Sequence, residues 1–126
     1  MIFPRETAFA AIGADWMILV TNDGWFGDWV GPMQHLAMAQ FRAIETGLPI
    51  ARSANAGVSA MIDPFGRTIN AIGPGKAGIV DSALPAKVET FYFKIGEAGT
   101  TVVFLHLLLL ATYGRKRSKK AVNSHV

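Results

Sequence analysis

The feature that most constrains the fold is a short apolar run that leads into a loop rich in glycine and aromatic residues. The run Trp16–Val20 is followed by Thr21–Pro32, which holds three glycines, two tryptophans, a phenylalanine, two aspartates and an asparagine. Apolar runs of this length are typical of buried strands, and clusters of Gly, Asn and Asp are typical of loops. A helical pattern starts at Pro32. The segment therefore predicts a strand, a loop at its carboxyl end and a helix, and ligands of α/β sheets bind at such loops.

Two interpretations of this loop are open. Glycine permits φ > 0 and exposed aromatic side chains carry large apolar area, a combination suited to a loop beside a ligand. Alternatively, Asn22–Gly24 forms an ordinary turn, and Trp25 and Trp29 cover the edge of the sheet. His35, in the first turn of the following helix, is either a solvated or capping histidine or a substrate contact.

Apolar periodicity and turn residues predict the elements around the loop. A short helix is expected over Arg5–Ile12, and a second helix starts at Pro32 and is closed by Gly47 and Pro49. Asp63–Gly66 has the pattern of a type I or II turn. The predicted strands are 16–20, 50–53, 58–62, 67–72 and 79–82. This succession predicts a layered α/β fold.

Polar residues at two strand ends call for an explanation. Arg52 and Asn55 lie within or beside apolar strands. An Arg–carboxylate pair and an asparagine in a left-handed turn position would account for them structurally.

The distribution of charge excludes one class of partner. Five of the twelve basic residues lie within 115–120, so residues 1–114 carry seven basic against nine acidic residues, a balance of −2. A basic nucleic-acid-binding face is therefore not expected on the folded part. The chain has no cysteine, which excludes disulfides, thiolate metal sites and a cysteine nucleophile within it. We expect no metal and no cofactor.

The C-terminal region has a different character. Residues 98–113 form a run of sixteen residues without a charge, followed directly by the basic cluster. As a helix the run would span about 24 Å at ~1.5 Å per residue, against a bilayer core of ~30 Å. We predict a transmembrane helix over 98–113, preceded by a juxtamembrane linker over 89–97. Because basic residues next to a span favour the cytoplasmic side, we predict that residues 114–126 form a basic cytoplasmic tail. The alternative is a buried helix with a solvated tail.

Several motifs in consistent register resemble one family. The chain resembles the C-terminal part of the bacterial apolipoprotein N-acyltransferases, which are membrane-embedded members of the nitrilase (carbon–nitrogen hydrolase) superfamily. The motifs are Asn22-Asp23-Gly24-Trp25-Phe26-Gly27, Gly31-Pro32-x-Gln34-His35-Leu36, Arg42-Ala43-x-Glu45, Arg52-Ser53-x-Asn55-x-Gly57 and Asp63-Pro64-x-Gly66. The resemblance runs from Ile2 to about Leu84.

The resemblance implies a fold and a reaction. Residues 1–88 would be the later portion of a nitrilase-like α-β-β-α sandwich, periplasmic and attached to the bacterial inner membrane. The family moves an acyl chain from a phospholipid to the N-terminal diacylglyceryl-cysteine of an apolipoprotein. A Glu-Lys-Cys triad carries this reaction through a thioester.

This chain departs from the family in lacking the triad. In the family the nucleophile lies in a Cys-Tyr-Glu segment immediately before the residues that appear here as Ile2-Phe3-Pro4, and the general-base glutamate and the lysine lie further upstream. Neither Glu6 nor Glu45 is therefore expected to act as the general base. Because triad members act as a unit, we expect the chain alone to be an inactive fragment of a longer protein.

The same resemblance suggests roles for the residues that are present. Asn22, Asp23, Trp25, Phe26 and His35 would form the wall of the active site, with the two aromatic residues of the loop offering apolar area to an acyl chain. The strand-end residues Arg52 and Asn55 would order the backbone next to the nucleophile.

Two other interpretations compete with this one. The chain could be a piece of a soluble nitrilase-type amidase, although such an enzyme needs neither the apolar C-terminal segment nor its basic flank. It could also be a membrane-anchored, non-catalytic binding module that uses the aromatic loop as its contact surface.

Overall fold

Four strands build a mixed sheet in the first part of the chain. In the computed structural model they are β1 (Met17–Thr21), β2 (Ile50–Ala54), β3 (Ser59–Ile62) and β4 (Thr68–Ile72), side by side in chain order. The structure describes residues 4–27 and 30–123, so the predictions that involve Ile2, Phe3 and Trp29 lie outside the described residues. The chain divides into two units, Met1–Lys94 and Ile95–Val126. The α/β class expected from the sequence is confirmed.

The first two strands are parallel, and the remaining pairs are antiparallel. Met17 of β1 is in register with Ile50 of β2, and Thr21 with Ala54, while β2–β3 and β3–β4 run antiparallel. A parallel pair needs a crossover. Here a 3₁₀ turn (Asp23–Phe26) and the helix α2 (Val30–Thr46) supply it. The carboxyl ends of β1 and β2 therefore lie beside each other, and the loop predicted as a candidate site leaves from this edge.

Helix α2 covers one face of the sheet. Its buried residues Leu36, Ala39 and Ala43 pack in a single core with side chains from β2, β3 and the loop between them, which are Ile50, Val58, Ala60 and Ile62.

The helix starts two residues before the predicted Pro32, which lies within the first turn. Proline is tolerated there because the backbone N–H groups of that turn have no helical partner. Gly47 ends the helix with φ +69°, as a left-handed glycine cap does.

The predicted turn between β3 and β4 is confirmed. Asp63 Oδ1 accepts hydrogen bonds from the backbone N–H groups of Phe65 (2.9 Å) and Arg67 (2.8 Å), and Gly66 N donates to Asp63 O (2.9 Å). Burial by itself would raise the pKa of the Asp63 carboxyl, but hydrogen bonds from Arg67 and Phe65 and the charge of Arg67 hold it below its usual value. The turn is thus built around an ionised carboxylate.

Two predicted elements differ from the structure. The helix expected over Arg5–Ile12 is α1 (Pro4–Ala10). The strand expected over 79–82 is absent, and no helix or strand occurs between β4 and α3 (Phe91–Ile95). This segment follows a loop with two glycines and a proline at 73–75. It touches β4 through a side-chain bond from Asn70 Nδ2 to Asp81 O (3.3 Å) instead of a backbone ladder.

The residues predicted as a transmembrane helix, 98–113, belong to α4 (Glu97–Asn123). Within the described part of the chain, no helix is both long enough and apolar enough to cross a membrane. The alternative of a buried helix does not fit the exposure of its side chains, because Leu107 and Leu109 are more than half exposed.

The face of the sheet opposite α2 carries exposed apolar side chains, which leads to a prediction for the isolated chain. Ile18 and Val20 alternate with the inward residues of β1 and are 66% and 75% exposed. A flat apolar sheet face beside a strand edge favours self-association. We expect the 126-residue chain to aggregate and to show no sharp thermal transition.

Size-exclusion chromatography with a thermal scan checks this prediction. The double substitution I18K/V20K is expected to raise the monomer fraction, whereas I79K, at a residue that is 94% exposed outside helices and strands, changes it little. A monodisperse monomer with a cooperative transition in the unmodified chain would contradict the expectation.

Candidate functional site

A cluster of polar side chains lies at the carboxyl ends of the two parallel strands. Its centre is Asp23, the first residue of the 3₁₀ turn, which is separated from β1 by Asn22 alone. His35 reaches it from α2 and Arg52 from β2, across sequence separations of 12 and 29 residues. The fold thus brings together three residues that the sequence pointed to separately.

Both carboxylate oxygens of Asp23 are engaged. Oδ1 lies 2.8 Å from His35 Nδ1 and accepts a hydrogen bond from Thr21 Oγ1 (3.2 Å), while Oδ2 accepts one from Arg52 Nη2. Asp23 is 0% exposed. A carboxylate buried so completely is tolerated only when it is paired and hydrogen-bonded, so these partners are required for the turn to sit where it does.

Arg52 connects this carboxylate to the neighbouring strands. Its side chain is fully buried, and besides the bond to Asp23 its Nε donates to the backbone oxygen of Val58 (3.0 Å). Its Nη1 has no hydrogen-bond partner among the described residues. The Arg–carboxylate pair considered from the sequence is therefore present, and its acid is the aspartate of the aromatic loop.

Gly57 makes the burial of Asp23 possible. A Cβ at this position would collide with Asp23 Oδ2 and would lie 2.8 Å from Cγ and 2.9 Å from Cβ. Only glycine lets the chain between β2 and β3 approach the carboxylate this closely. The sequence pattern assigned no role to Gly57. The signal that could have indicated one is its position five residues after Arg52, an arginine within an apolar strand.

His35 is neither a solvated nor a capping histidine. Its side chain is 13% exposed, Nδ1 contacts Asp23, and its ring packs against that of Phe26 with centroids 5.3 Å apart and planes tilted by 56°. Because an ionised carboxylate only accepts hydrogen bonds, Nδ1 carries the proton in this contact. The two ends of the 3₁₀ turn are therefore attached to one side chain of α2.

The turn itself presents aromatic surface to solvent. Trp25 is 85% exposed and Phe26 49% exposed. Asn22 caps the turn, because its Oδ1 accepts a hydrogen bond from Gly24 N (3.0 Å). We call the segment Asp23–Phe26 the aromatic turn. Its buried acidic end, Asp23, fixes its position, and the rings of Trp25 and Phe26 are exposed at its other end.

Asn55 lies at the same edge but outside the polar cluster. It is exposed, and its backbone N–H donates to Thr21 O (3.3 Å), which joins the ends of β1 and β2. The left-handed conformation considered for it from the sequence is wrong, since among the described residues only glycines have positive φ. The backbone bond satisfies the strand end without that conformation.

The arrangement defines what chemistry this edge can support. Both oxygens of Asp23 are engaged, so neither is free to act as a base, and Arg52 uses Nε and Nη2 for its bonds to Val58 O and Asp23, which leaves only Nη1 unpaired among the described residues. On α2, Glu45 pairs instead with Arg42 (2.7 Å), and burial raises the pKa of its carboxyl although the charge of Arg42 opposes this. The residues described here contain no group of three or more His, Asp or Glu side chains able to hold a metal ion. The edge can order a backbone and offer apolar area beside a reacting group.

Comparison of the sequence with known proteins identifies its family. Residues 1–92 match the family profile described as carbon-nitrogen hydrolase. The chain is 48% identical over 115 residues to the apolipoprotein N-acyltransferase of Bradyrhizobium diazoefficiens, which covers 90% of this chain and 21% of the relative. It is 49% identical over 117 residues to that of Rhodopseudomonas palustris (92% and 22%) and 43% identical over 113 residues to that of Brucella melitensis (90% and 21%). The chain thus spans about a fifth of the length of these curated relatives, and it belongs to the carbon–nitrogen hydrolase family.

Proposed function

We propose that this chain contributes the acyl-binding wall of an apolipoprotein N-acyltransferase. The observation that carries the proposal is the aromatic turn, in which a fully buried Asp23 fixes an exposed Trp25–Phe26 pair at the carboxyl ends of parallel strands. Rigid aromatic side chains give large apolar contact area at this kind of edge. The names of the relatives favour acyl transfer over the amidase interpretation.

The reaction divides into two steps with a covalent intermediate. A cysteine thiolate attacks the ester carbonyl of a phospholipid, which breaks the C–O ester bond and forms a thioester, and the leaving oxygen takes up a proton from a general acid as the lysophospholipid departs. The α-amino group of the diacylglyceryl-cysteine of an apolipoprotein then attacks the thioester, which forms the amide and returns the thiolate while the amine loses a proton to a base. This chain has no cysteine, so the nucleophile belongs to another segment of the complete enzyme and the 126 residues alone are inactive.

The proposed substrates suggest a location. Since the acyl donor is a phospholipid and the acceptor a lipid-modified protein, the complete enzyme is proposed to work at the bacterial inner membrane, and the resemblance to the acyltransferases favours a periplasmic position for the globular part. No nucleic acid and no cofactor takes part in the proposed reaction.

A chimera allows the residues of this chain to be tested in a complete enzyme. In it, the chain replaces the matching segment of the Bradyrhizobium diazoefficiens relative. We expect W25A to raise the KM for a long-chain phospholipid about tenfold, because about 60 Å² of lost apolar contact at ~25 cal/mol/Å² is worth roughly 1.5 kcal/mol. Acyl transfer to a diacylglyceryl-cysteine peptide is measured at varied phospholipid concentration.

W16A is the matched control. Trp16 directly precedes β1 and therefore lies at its opposite end, so its substitution should leave the KM for phospholipid unchanged once activity is normalised to folded enzyme. Equal kinetics for W25A and the unsubstituted chimera would show that Trp25 does not contribute to an acyl-binding wall.

A further inference from the structure

His35 is the side chain that joins the two ends of the aromatic turn. Its Nδ1 lies 2.8 Å from the carboxylate that begins the turn, and its ring packs on Phe26, which ends it. Between these two attachments lies Trp25, whose side chain is 85% exposed. Displacement of the imidazole would therefore release both ends of the turn at once.

Helix α2 is close enough to the turn to make this coupling rigid. A Cβ at Gly31, in the first turn of α2, would lie 2.7 Å from Phe26 O and would also collide with the Phe26 side chain. The turn thus packs on the helix backbone, and His35 follows one helical turn later. On the other side, Asp23 is fixed to β2 through Arg52. The position of Trp25 is consequently set by a chain of contacts from β2 through Asp23 and His35 to α2.

The contacts of His35 give its Nδ1 and its ring structural partners. The side chain is 13% exposed, Nδ1 contacts Asp23, and the ring contacts that of Phe26. Nε2 is then the ring nitrogen left for proton transfer, so the variants below separate a positioning role from acid–base chemistry. Trp25, the most exposed side chain of the aromatic turn, lies between the two attachments.

We propose that His35 is a positioning residue for the acyl chain of the donor, acting through Asp23 and Phe26 to hold the Trp25–Phe26 surface in place. The inference rests on the proposed function, because it assumes that this surface contacts the acyl chain. It goes further in predicting how the enzyme distinguishes donors: a loosened turn weakens binding of long acyl chains and leaves short ones nearly unaffected, since a short chain contacts less of the aromatic surface.

Two amide substitutions separate the hydrogen bond from titration. In H35N, the side-chain amide nitrogen can occupy the place of Nδ1 and donate to Asp23. In H35Q, the amide nitrogen corresponds instead to Nε2, so the bond to Asp23 is lost. Neither variant titrates near neutral pH. H35F keeps an aromatic ring next to Phe26 but has no donor, and H106N replaces an exposed histidine of α4 as the control.

The experiment compares these variants in the chimera, with long-chain and short-chain phospholipid donors and over a range of pH. We expect H35Q and H35F to raise the KM for the long-chain donor about tenfold, the scale of one lost hydrogen bond at a charged acceptor. H35N should stay within about threefold of the unsubstituted chimera. For all variants the shape of the pH profile should be unchanged, and the KM for the short-chain donor should rise less than that for the long-chain donor.

Each other outcome overturns the inference in a distinguishable way. If H35N is as impaired as H35Q and both lose a limb of the pH profile, His35 transfers protons. If all variants match H106N, His35 has no role in donor binding. If the unsubstituted chimera is folded but does not transfer acyl groups, the proposed function itself fails, independently of His35.

Discussion

Replacing Arg52 by methionine is expected to destabilise the chimera by about 3–5 kcal/mol, the usual cost of removing one partner from a buried ion pair. Methionine preserves most of the volume of the arginine side chain. It leaves the Asp23 carboxylate without its cationic partner and the backbone oxygen of Val58 without its hydrogen-bond donor. We expect the aromatic turn to leave its position. Acyl transfer should then fall at least a hundredfold, because about 3 kcal/mol corresponds to more than two factors of ten. Thermal unfolding and acyl transfer of the purified chimera measure the two effects.

The control for R52M is a cation in an exposed pair. Lys87 Nζ lies 2.6 Å from Asp15 Oδ1, and both side chains are more than half exposed. Such pairs contribute about 0–1 kcal/mol, so K87M should unfold close to the unsubstituted chimera. The double variant D23N/R52M removes both charges and should be less destabilised than R52M alone. If R52M behaves like K87M, the buried pair does not hold the turn.

The substitution G57A is expected to have the second large effect on stability and on acyl transfer. The added methyl group would meet Asp23 Oδ2 and Cγ, and this carboxylate has no room to swing away because it is fully buried with both oxygens bonded. Overpacking of this kind costs about 1–3 kcal/mol, and displacement of a buried charge adds to it. We therefore expect a lower unfolding temperature and a greater loss of long-chain acyl transfer than in H35Q.

G73A provides the comparison for the glycine substitution. A Cβ at Gly73 would have nothing within 4 Å, and its φ is not in the left-handed region, so the variant should match the unsubstituted chimera in stability and activity. A second variant, D23A in the G57A background, removes the clashes with Oδ2 and Cγ and leaves only the 2.9 Å approach to Cβ, so it should add less damage than D23A does alone. Equal behaviour of G57A and G73A would show that the approach of Gly57 to Asp23 is unimportant.

Local pattern predicted the strand, loop and helix around the site. The apolar run became β1, and the Gly–aromatic segment became a turn at the carboxyl edge followed by α2. These elements follow from periodicity and turn chemistry, which act over a few residues. The α/β class followed from the same signals.

The contacts that define the site could not be predicted in the same way. The bond between Asp23 and Arg52 depends on the parallel register of β1 and β2, which a crossover of more than twenty residues brings about. His35 meets Asp23 only because α2 turns back over this edge. Long-range pairing of this kind leaves no periodic signal in the sequence. The polar residues were recognisable as unusual, but their partners were not.

The strand predicted over 79–82 is wrong for a local physical reason. Residues 79–82 have apolar character, but they form no backbone ladder with β4, and Asp81 O accepts a hydrogen bond from the Asn70 side chain instead. Composition indicated an element there, but the segment has no strand partner. The charge-free run at 98–113 is a helix, as expected.

The central claim is that the aromatic turn, fixed by Asp23, His35 and Arg52, contacts the acyl chain that the enzyme transfers. The most direct measurement is photolabelling of the chimera with a phospholipid that carries a diazirine in its acyl chain, followed by mass spectrometry to locate the label. We predict labelling at Trp25 or Phe26, reduced in R52M and unchanged in K87M. Labelling that avoids the aromatic turn in an active chimera, or that is equal in the two variants, would contradict it.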